Sequence, residues 1–197
     1  MRLVSQRAMI DLRWLQKQQP NVEEQARLEE FLTELAHTNR FLVVDKPSMT
    51  VAEIRNVAER VKLSGGLDLL VIDYIQLLSI PAHDRQENRA TQLAGVTREL
   101  KILARELQVP IVVPAQVNRS SDKEDRPPKL SDLRESGSIE QDADVVILID
   151  RPELRNLGDS KLSGVARLSI AKQRNGPTGE AELRFEGQYC RFTDPKA

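Results

Sequence analysis

Cysteine is almost absent. The one example, Cys190, leaves no intramolecular disulfide to form, and its setting in QYCRF reads as a buried or half-buried strand position. Histidine is nearly as scarce: His37 and His83 stand far apart with no Cys or His at ligand spacing, which argues against a structural metal and leaves two surface histidines. No apolar run approaches the roughly 20 residues that a bilayer span requires, and the N-terminus has no signal-peptide core. The cytoplasm is therefore the expected compartment, without a membrane partner. An excess of one charge is also missing. With 29 Lys+Arg against 30 Asp+Glu the formal net charge is -1, so any nucleic-acid site has to be local. Neither an internal repeat nor a low-complexity linker interrupts the chain.

What remains is an ordinary globular balance over 197 residues, 40% hydrophobic and 30% charged, enough for one soluble domain with a sizeable core. Leu28, Phe31, Leu32 and Leu35 fall at helical spacing, and the preceding VEEQ supplies acids for a first turn. FLVVD, at 41–45, reads as a short strand. Thr50 and Glu53 then form a capping-box pattern ahead of Val51, Ile54, Val57 and Val61, and Gly65 and Gly66 end that helix. LDLLVIDYI is an apolar run of strand length. After the charged stretch PAHDRQENRA, the series Leu93, Val96, Leu100, Leu103 and Leu107 predicts a helix ending near Gln108, and PIVVPAQV resumes as a strand. From Asn118 to Gly137 the residues are polar and Pro-containing, a loop long enough to imply a task. DVVILID, ARLSIAKQR and EAELRFEG read as three more strands, with Gly176 and Gly179 flanking Pro177 at a hairpin. Apolar strands alternating with helices imply an α/β fold with a mostly parallel sheet covered on both sides. The late strands add an antiparallel edge.

In such sheets the site lies at the carboxyl ends of the parallel strands. Asp73 interrupts a fully apolar run, where an ionised carboxylate is costly unless it is paired or faces a cation. It reads either as a magnesium-organising aspartate or as a strand-end residue capping a turn. Gln116 closes the next strand, as an amide able to hydrogen-bond a phosphate or as a solvated end. Arg134, Glu135 and Gly137 lie in a segment whose glycine permits close backbone approach to a ligand, or in a charged surface loop. Lys172 and Arg174, two apart in a strand, share a face from which they could reach a phosphate on a neighbouring subunit; equally, two exposed bases protect an edge strand.

Together these segments resemble the DnaB family of replicative helicases. DLLVIDYIQLL, LARELQVPIVV, SDLRESGSIEQDADVV and AKQRNGPTGE stand in the family's order and spacing from about Leu67 to Phe192, and residues 1–66 resemble it more loosely. The resemblance implies a RecA-like P-loop NTPase sheet in a domain that assembles as a hexamer around single-stranded DNA and moves along it by hydrolysing ATP with Mg2+. It implies roles as well. Asp73 is similar to the Walker B aspartate that organises magnesium through water, and Gln116 to the glutamine that senses the γ-phosphate. Arg134, Glu135 and Gly137 resemble the loop that follows the DNA backbone. Arg174 resembles the arginine finger and Lys172 its basic companion, both acting on the adjacent protomer's nucleotide. Primase and a loader are the family's further partners.

The family's phosphate loop needs Gly-x-x-x-x-Gly-Lys-Ser/Thr, so that backbone amides and a lysine surround the phosphates. This sequence contains no such segment. The closest spacing, Gly158 to Gly164, leads into Val165 and Ala166 before a late strand. The resemblance places the phosphate loop, the water-activating glutamate and the primase-interacting domain ahead of the position of Met1. The expectation is thus one partial motor domain without its P-loop unit and unable to hydrolyse ATP alone, and whether it holds ATP or Mg2+ by itself stays open. Pro114, where the family has aliphatic or small residues, cannot donate to a ladder and makes the placement of Gln116 less regular than that of Asp73. Three readings follow: part of a helicase motor; a non-catalytic truncated paralogue that binds DNA or joins helicase rings; and, disfavoured by SDLRESGSIEQDADVV, a strand-exchange protein or regulator of the wider RecA group. An in-frame phosphate-loop motif upstream of the Met1 codon would favour the first, an immediate stop codon the second. A sheet without its P-loop unit exposes a face that the family buries, so the isolated chain should dimerise or pack against a partner through that face. Sedimentation as a monomer at every concentration would refute this.

Overall fold

The computed structural model describes every residue except 18–19, 39–40, 80–87, 119–123, 157 and 196–197, together with the side chains of 89 and 134–138. His83 and most of PAHDRQENRA lie outside the described residues. The chain divides into two compact units, one of 1–44, 149–168 and 180–197 and the other of 45–148 and 169–179.

In the first unit, helices α1 (Arg2–Ala8) and α2 (Leu12–Lys17) precede the long α3 (Val22–His37). The acids of VEEQ open α3 through a reciprocal cap: Glu24 N–H donates to Asn21 Oδ1 at 2.9 Å, while Asn21 N–H donates to Glu24 Oε2 at 2.8 Å. Ala8, Ile10 and Leu15 form a small core against Val4 and Leu28. The buried Ser5 hydroxyl donates to Ile10 O at 2.6 Å, satisfying a polar group that would otherwise be orphaned. Strands β5 (Gly179–Glu186) and β6 (Arg191–Thr193) pair antiparallel with Phe185 opposite Phe192, their rings 4.9 Å apart. Cys190 is half-buried, but it occupies a turn in left-handed conformation (φ 51°) rather than a strand, because Gly187–Tyr189 forms a 3-10 turn that reverses the chain before β6.

In the second unit, α4 (Val51–Gly65) starts on the expected capping box, with Glu53 N–H donating to Thr50 Oγ1 at 3.2 Å and Thr50 N–H to Glu53 Oε2 at 2.8 Å. That bond to the Thr50 amide holds the Glu53 carboxyl below its ordinary pKa. Gly66 (φ 91°) ends the helix. Helix α5 (Arg89–Leu107) ends at Gln108 as its spacing predicts. It lays Val96, Leu100, Leu103 and Leu107 into a core shared with Val51, Ile54 and Ala58 of α4 and with Ile72, Ile75 and Val109. Strand β1 (Leu70–Val71) pairs parallel with β2 (Ile111–Val112). Both are much shorter than the apolar runs that contain them.

The remaining elements are α6 (Gly137–Asp142), β3 (Val145–Asp150) and β4 (Val165–Gln173), and the strands fall into two sheets of order β1-β2 and β3-β4-β5-β6. The fold is α/β, with one parallel pair and a separate late sheet. Two expectations need correction. FLVVD forms no strand: Phe41, Leu42, Val43 and Val44 are exposed and pair with no described strand, and β-branched residues form a strand only where a partner ladder exists. The segment from 118 to 137 is not loop throughout either, since Leu130–Ser136 forms 3-10 turns that run into α6. In the same unit Val71 and Val112 of the first sheet and Val145 and Ile147 of β3 are each about half-exposed, leaving apolar side chains on both sheets open to solvent. No helix among the described residues is long and apolar enough to cross a membrane.

The capping box is the most local of these interactions, and Thr50→Ala should lower stability by about 1 kcal/mol. Urea denaturation followed by circular dichroism will show it as a lower midpoint with an unchanged slope.

Candidate nucleotide- and DNA-facing site

Three rungs fix the two short parallel strands and whatever leaves their carboxyl ends. Leu70 N–H donates to Pro110 O at 3.1 Å, Ile72 N–H to Val112 O at 3.0 Å and Ile75 N–H to Pro114 O at 3.2 Å. Pro114, which lacks an N–H, thus contributes through its carbonyl just past the end of β2. Asp73 and Gln116 therefore emerge from adjacent strands at the same end of this pair. Asp73 lies beyond β1 at a bend and is exposed. The expectation of a carboxylate inside an apolar strand is corrected: β1 stops at Val71, so Asp73 carries no burial cost and is open to a cation. Its peptide bond to Tyr74 is cis. Gln116 is exposed as well.

Gln76, which the sequence reading passed over, sits in the 3-10 turn after Asp73 and has a buried Oε1 with no hydrogen-bond partner. Among the described residues no group of three or more His, Cys, Asp or Glu could cage a metal. One open carboxylate past the end of β1 suits a magnesium ion shared with phosphates and water rather than one enclosed by protein.

The second grouping surrounds α6. Lys172, in β4, donates through Nζ to the carbonyls of Glu140 and Gln141, and Arg174, just past β4, donates from Nη2 to Gln141 O at 3.0 Å. Arg174 N–H also donates to Asp144 O at 2.8 Å. The two bases thus converge on the last carbonyls of α6, where cations complement the end of a helix. Asp144 ties them to α5 through an ion pair with Lys101, and Arg174 Nη1 lies 3.7 Å from its carboxylate. The Lys101 hydrogen bond chiefly, then the charges of Lys101, Arg174 and Lys172, hold the Asp144 carboxyl below its ordinary pKa. Thr97 of α5 anchors α6 from the other side, donating to Asp142 Oδ2 at 2.6 Å.

Arg134, Glu135 and Gly137 lie where the 3-10 turns become α6; the backbone places them there, and their side chains lie outside the described residues. Just before them is a residue that sequence reasoning did not single out. Asp132, its side chain 4% exposed, accepts from Arg126 Nη1 at 2.7 Å and Nη2 at 2.9 Å and from Lys129 N–H at 2.7 Å. Asp132 and Glu124 together raise the pKa of the Arg126 guanidinium, Asp132 more strongly. Its only trace in the sequence is its place in SDLRES, two positions ahead of Arg134. Gly164, the nearest thing to a phosphate-loop glycine, leads into β4 and gives its N–H to Glu153 Oε2 at 2.7 Å, so a protein carboxylate already occupies that amide.

The model of the DnaB-like helicase C terminal domain matches residues 1–194. The chain belongs to the DnaB-like helicase family. That match extends through residues 1–66, where resemblance by eye is looser. Among relatives, the replicative DNA helicase DnaB of Buchnera aphidicola subsp. Acyrthosiphon pisum is 39% identical over 98% of this chain and 42% of its own length. The Haemophilus influenzae DnaB helicase is 46% identical over 78% of this chain and 33% of its own length. The chain thus spans less than half of either relative. Among solved structures, one ATPase domain superposes with a TM-score of 0.88 at 31% identity, covering 99% of this chain and 69% of that one. A DnaB-like replicative helicase described with its primase interactions gives 0.87 at 30% identity over 99% of this chain and 47% of its own. The architecture is that of a DnaB-like ATPase domain.

The Asp144 cluster makes a pH-dependent prediction. A carboxyl whose pKa is lowered on folding contributes stability that is full above its unfolded value, about 3.9, and lost as pH falls through the folded value. Asp144→Asn should therefore reduce stability at neutral pH and flatten its decline below about pH 4; an acid limb identical to wild type in pH-dependent thermal melts would refute the assignment.

Proposed function

We propose that the chain serves as part of a replicative DNA helicase motor, contributing groups to the nucleotide and DNA sites while depending on other segments or protomers to complete them. The observation that carries this reading is the placement of Asp73 and Gln116, open to solvent, beyond the same ends of two adjacent parallel strands, two residues past β1 and four past β2. In this reading Asp73 orders the water shell of a magnesium ion, and Gln116 donates its amide to the terminal phosphate of ATP. Magnesium, when bound, neutralises charge on the phosphate oxygens. Arg174, about half-exposed, and Lys172 act on the nucleotide of an adjacent protomer, leaving the α6 carbonyls to do so. The turn at Arg134, Glu135 and Gly137 follows the backbone of single-stranded DNA without reading its bases. Family membership supports a hexameric ring in the cytoplasm, with primase and a loader as partners of the full-length protein.

A second reading is favoured by one observation, the lack of any Gly-x-x-x-x-Gly-Lys-Ser/Thr in the sequence. In it the chain is a non-catalytic module that binds DNA or joins helicase rings and lends its finger to a neighbour. Both readings expect that the chain alone hydrolyses no ATP, since its sequence holds no Gly-x-x-x-x-Gly-Lys-Ser/Thr. DNA-stimulated turnover lost in Asp73→Ala would refute that expectation. Mixing with a full-length DnaB-family helicase separates the two: the module reading expects incorporation of this chain into the ring, detected by co-sedimentation.

Both readings also expect binding to an oligo-dT strand. Arg134→Ala should weaken it equally across sequences and flatten the dependence of log affinity on log salt by about 0.7, the loss of one single-strand phosphate contact. Unchanged affinity would remove Arg134 from the interface.

A further inference from the structure

We infer that Asp132, locked by Arg126, is a positioning residue that holds the turn carrying Arg134 in register with the strand end carrying Gln116. The inference rests on the DNA reading above. Asp132 is tied on both of its sides. Its carboxylate takes both Nη groups of Arg126 and the Lys129 N–H, and its carbonyl accepts the Asn118 N–H at 3.1 Å. Asn118 is two residues beyond Gln116, and Asp132 is two residues before Arg134. The single residue between Asp132 and Arg134, Leu133, is buried in a cluster with Val146 and Leu148, against which Ala115 and Val117 also pack. The strand extension and the turn thus share one hydrogen-bonded anchor and one patch of apolar packing, with no flexible length of chain between anchor and Arg134.

The chemistry favours clamping over DNA contact. A carboxylate buried like that of Asp132 is costly unless a geometrically matched cation meets it, and the two-pronged guanidinium supplies that match. Arg126 has little left to offer a phosphate: besides Asp132, its Nε donates to Glu124 Oε2 at 2.5 Å and its Nη1 to Pro127 O at 3.1 Å. Its positive charge is set against two carboxylates. A lysine in its place would keep the charge and lose the fork.

Fluorescence anisotropy with labelled oligo-dT, measured on the full chain between about 50 and 200 mM salt, gives the first readout. Arg126→Gln and Asp132→Asn should each weaken binding about ten-fold, near the lower end for loss of a charge-assisted pair, with the salt slope of wild type retained, because the loosened turn still brings Arg134 to its phosphate in the bound state and the loss is the cost of ordering it. Arg126→Lys should fall between. Amide exchange gives the second readout: in both severe variants the Lys129 and Asn118 amides should lose protection while those of α5 keep theirs, which separates loss of the clamp from loss of the fold. A flattened slope in Arg126→Gln would make Arg126 a direct phosphate contact and overturn the inference, and so would unchanged exchange at Lys129 and Asn118. Wild-type affinity in both variants, with protection lost, would overturn the positioning role alone. No binding by the wild-type chain would instead overturn the DNA reading, and this inference with it.

Discussion

The parallel ladder between Leu70–Ile72 and Pro110–Pro114 is the constraint on which the candidate site depends. It is short, yet its last two rungs, Ile72 N–H to Val112 O and Ile75 N–H to Pro114 O, bracket Asp73 and stand just before Gln116. Its depth in the molecule comes from the helices. Leu100, Leu103 and Leu107 of α5 and Ile54 and Ala58 of α4 pack in one cluster with Ile72 and Val109, so the strands are seated by apolar burial and aligned by hydrogen bonds. Asp73 and Gln116 emerge just beyond the seated part. Side chains that must meet a charged ligand stand in water, while the backbone beneath them is held by a dry core.

A second level of organisation is built on the segment from Arg126 to Asp144. Several polar groups described along it are tied to one another or to another part of the same unit: Asp132 to Arg126, Lys129 and Asn118, Asp142 to Thr97, the last α6 carbonyls to Lys172 and Arg174, and Asp144 to Lys101. The helix α6 is too short to be stable on propensity alone. Contacts at both ends and packing on α5 keep it formed. On the proposed reading it has a DNA-facing turn at its start and the in-trans bases at its end.

How much of this was legible in the sequence depended on whether the deciding interaction was local. Where helix limits were read, local signals carried them, because the acids of VEEQ, Thr50 with Glu53, Gly66 and Gln108 act within a few residues of the ends they mark, whereas the Asn21 cap of α3 and the helices α1, α2 and α6 were not read. Strands were legible as apolar runs but not as lengths: a strand ends where its partner ends, and FLVVD has the composition of a strand without a partner to pair with. The environment of Asp73 was misjudged for the same reason, since the run around it is apolar while the ladder stops before it. Cys190 was placed in a strand by its neighbours and is held in a turn by Gly187. Asp132 was invisible as a site residue because its partner Arg126 lies across a turn whose closure no periodicity announces.

The lack of a phosphate-cradling loop in this sequence sharpens the reading of what is present. Phosphate binding by backbone amides requires a run of free N–H groups at one turn, and the best glycine the chain offers for it, Gly164, has given its amide to Glu153. The groups the chain does present are side chains at strand ends, at the end of α6 and beside a clamped turn. A strand-end carboxylate, an amide and two bases on a helix terminus act on charge that something else holds in place. On the proposed reading their usefulness grows when another segment or protomer supplies the phosphate cradle.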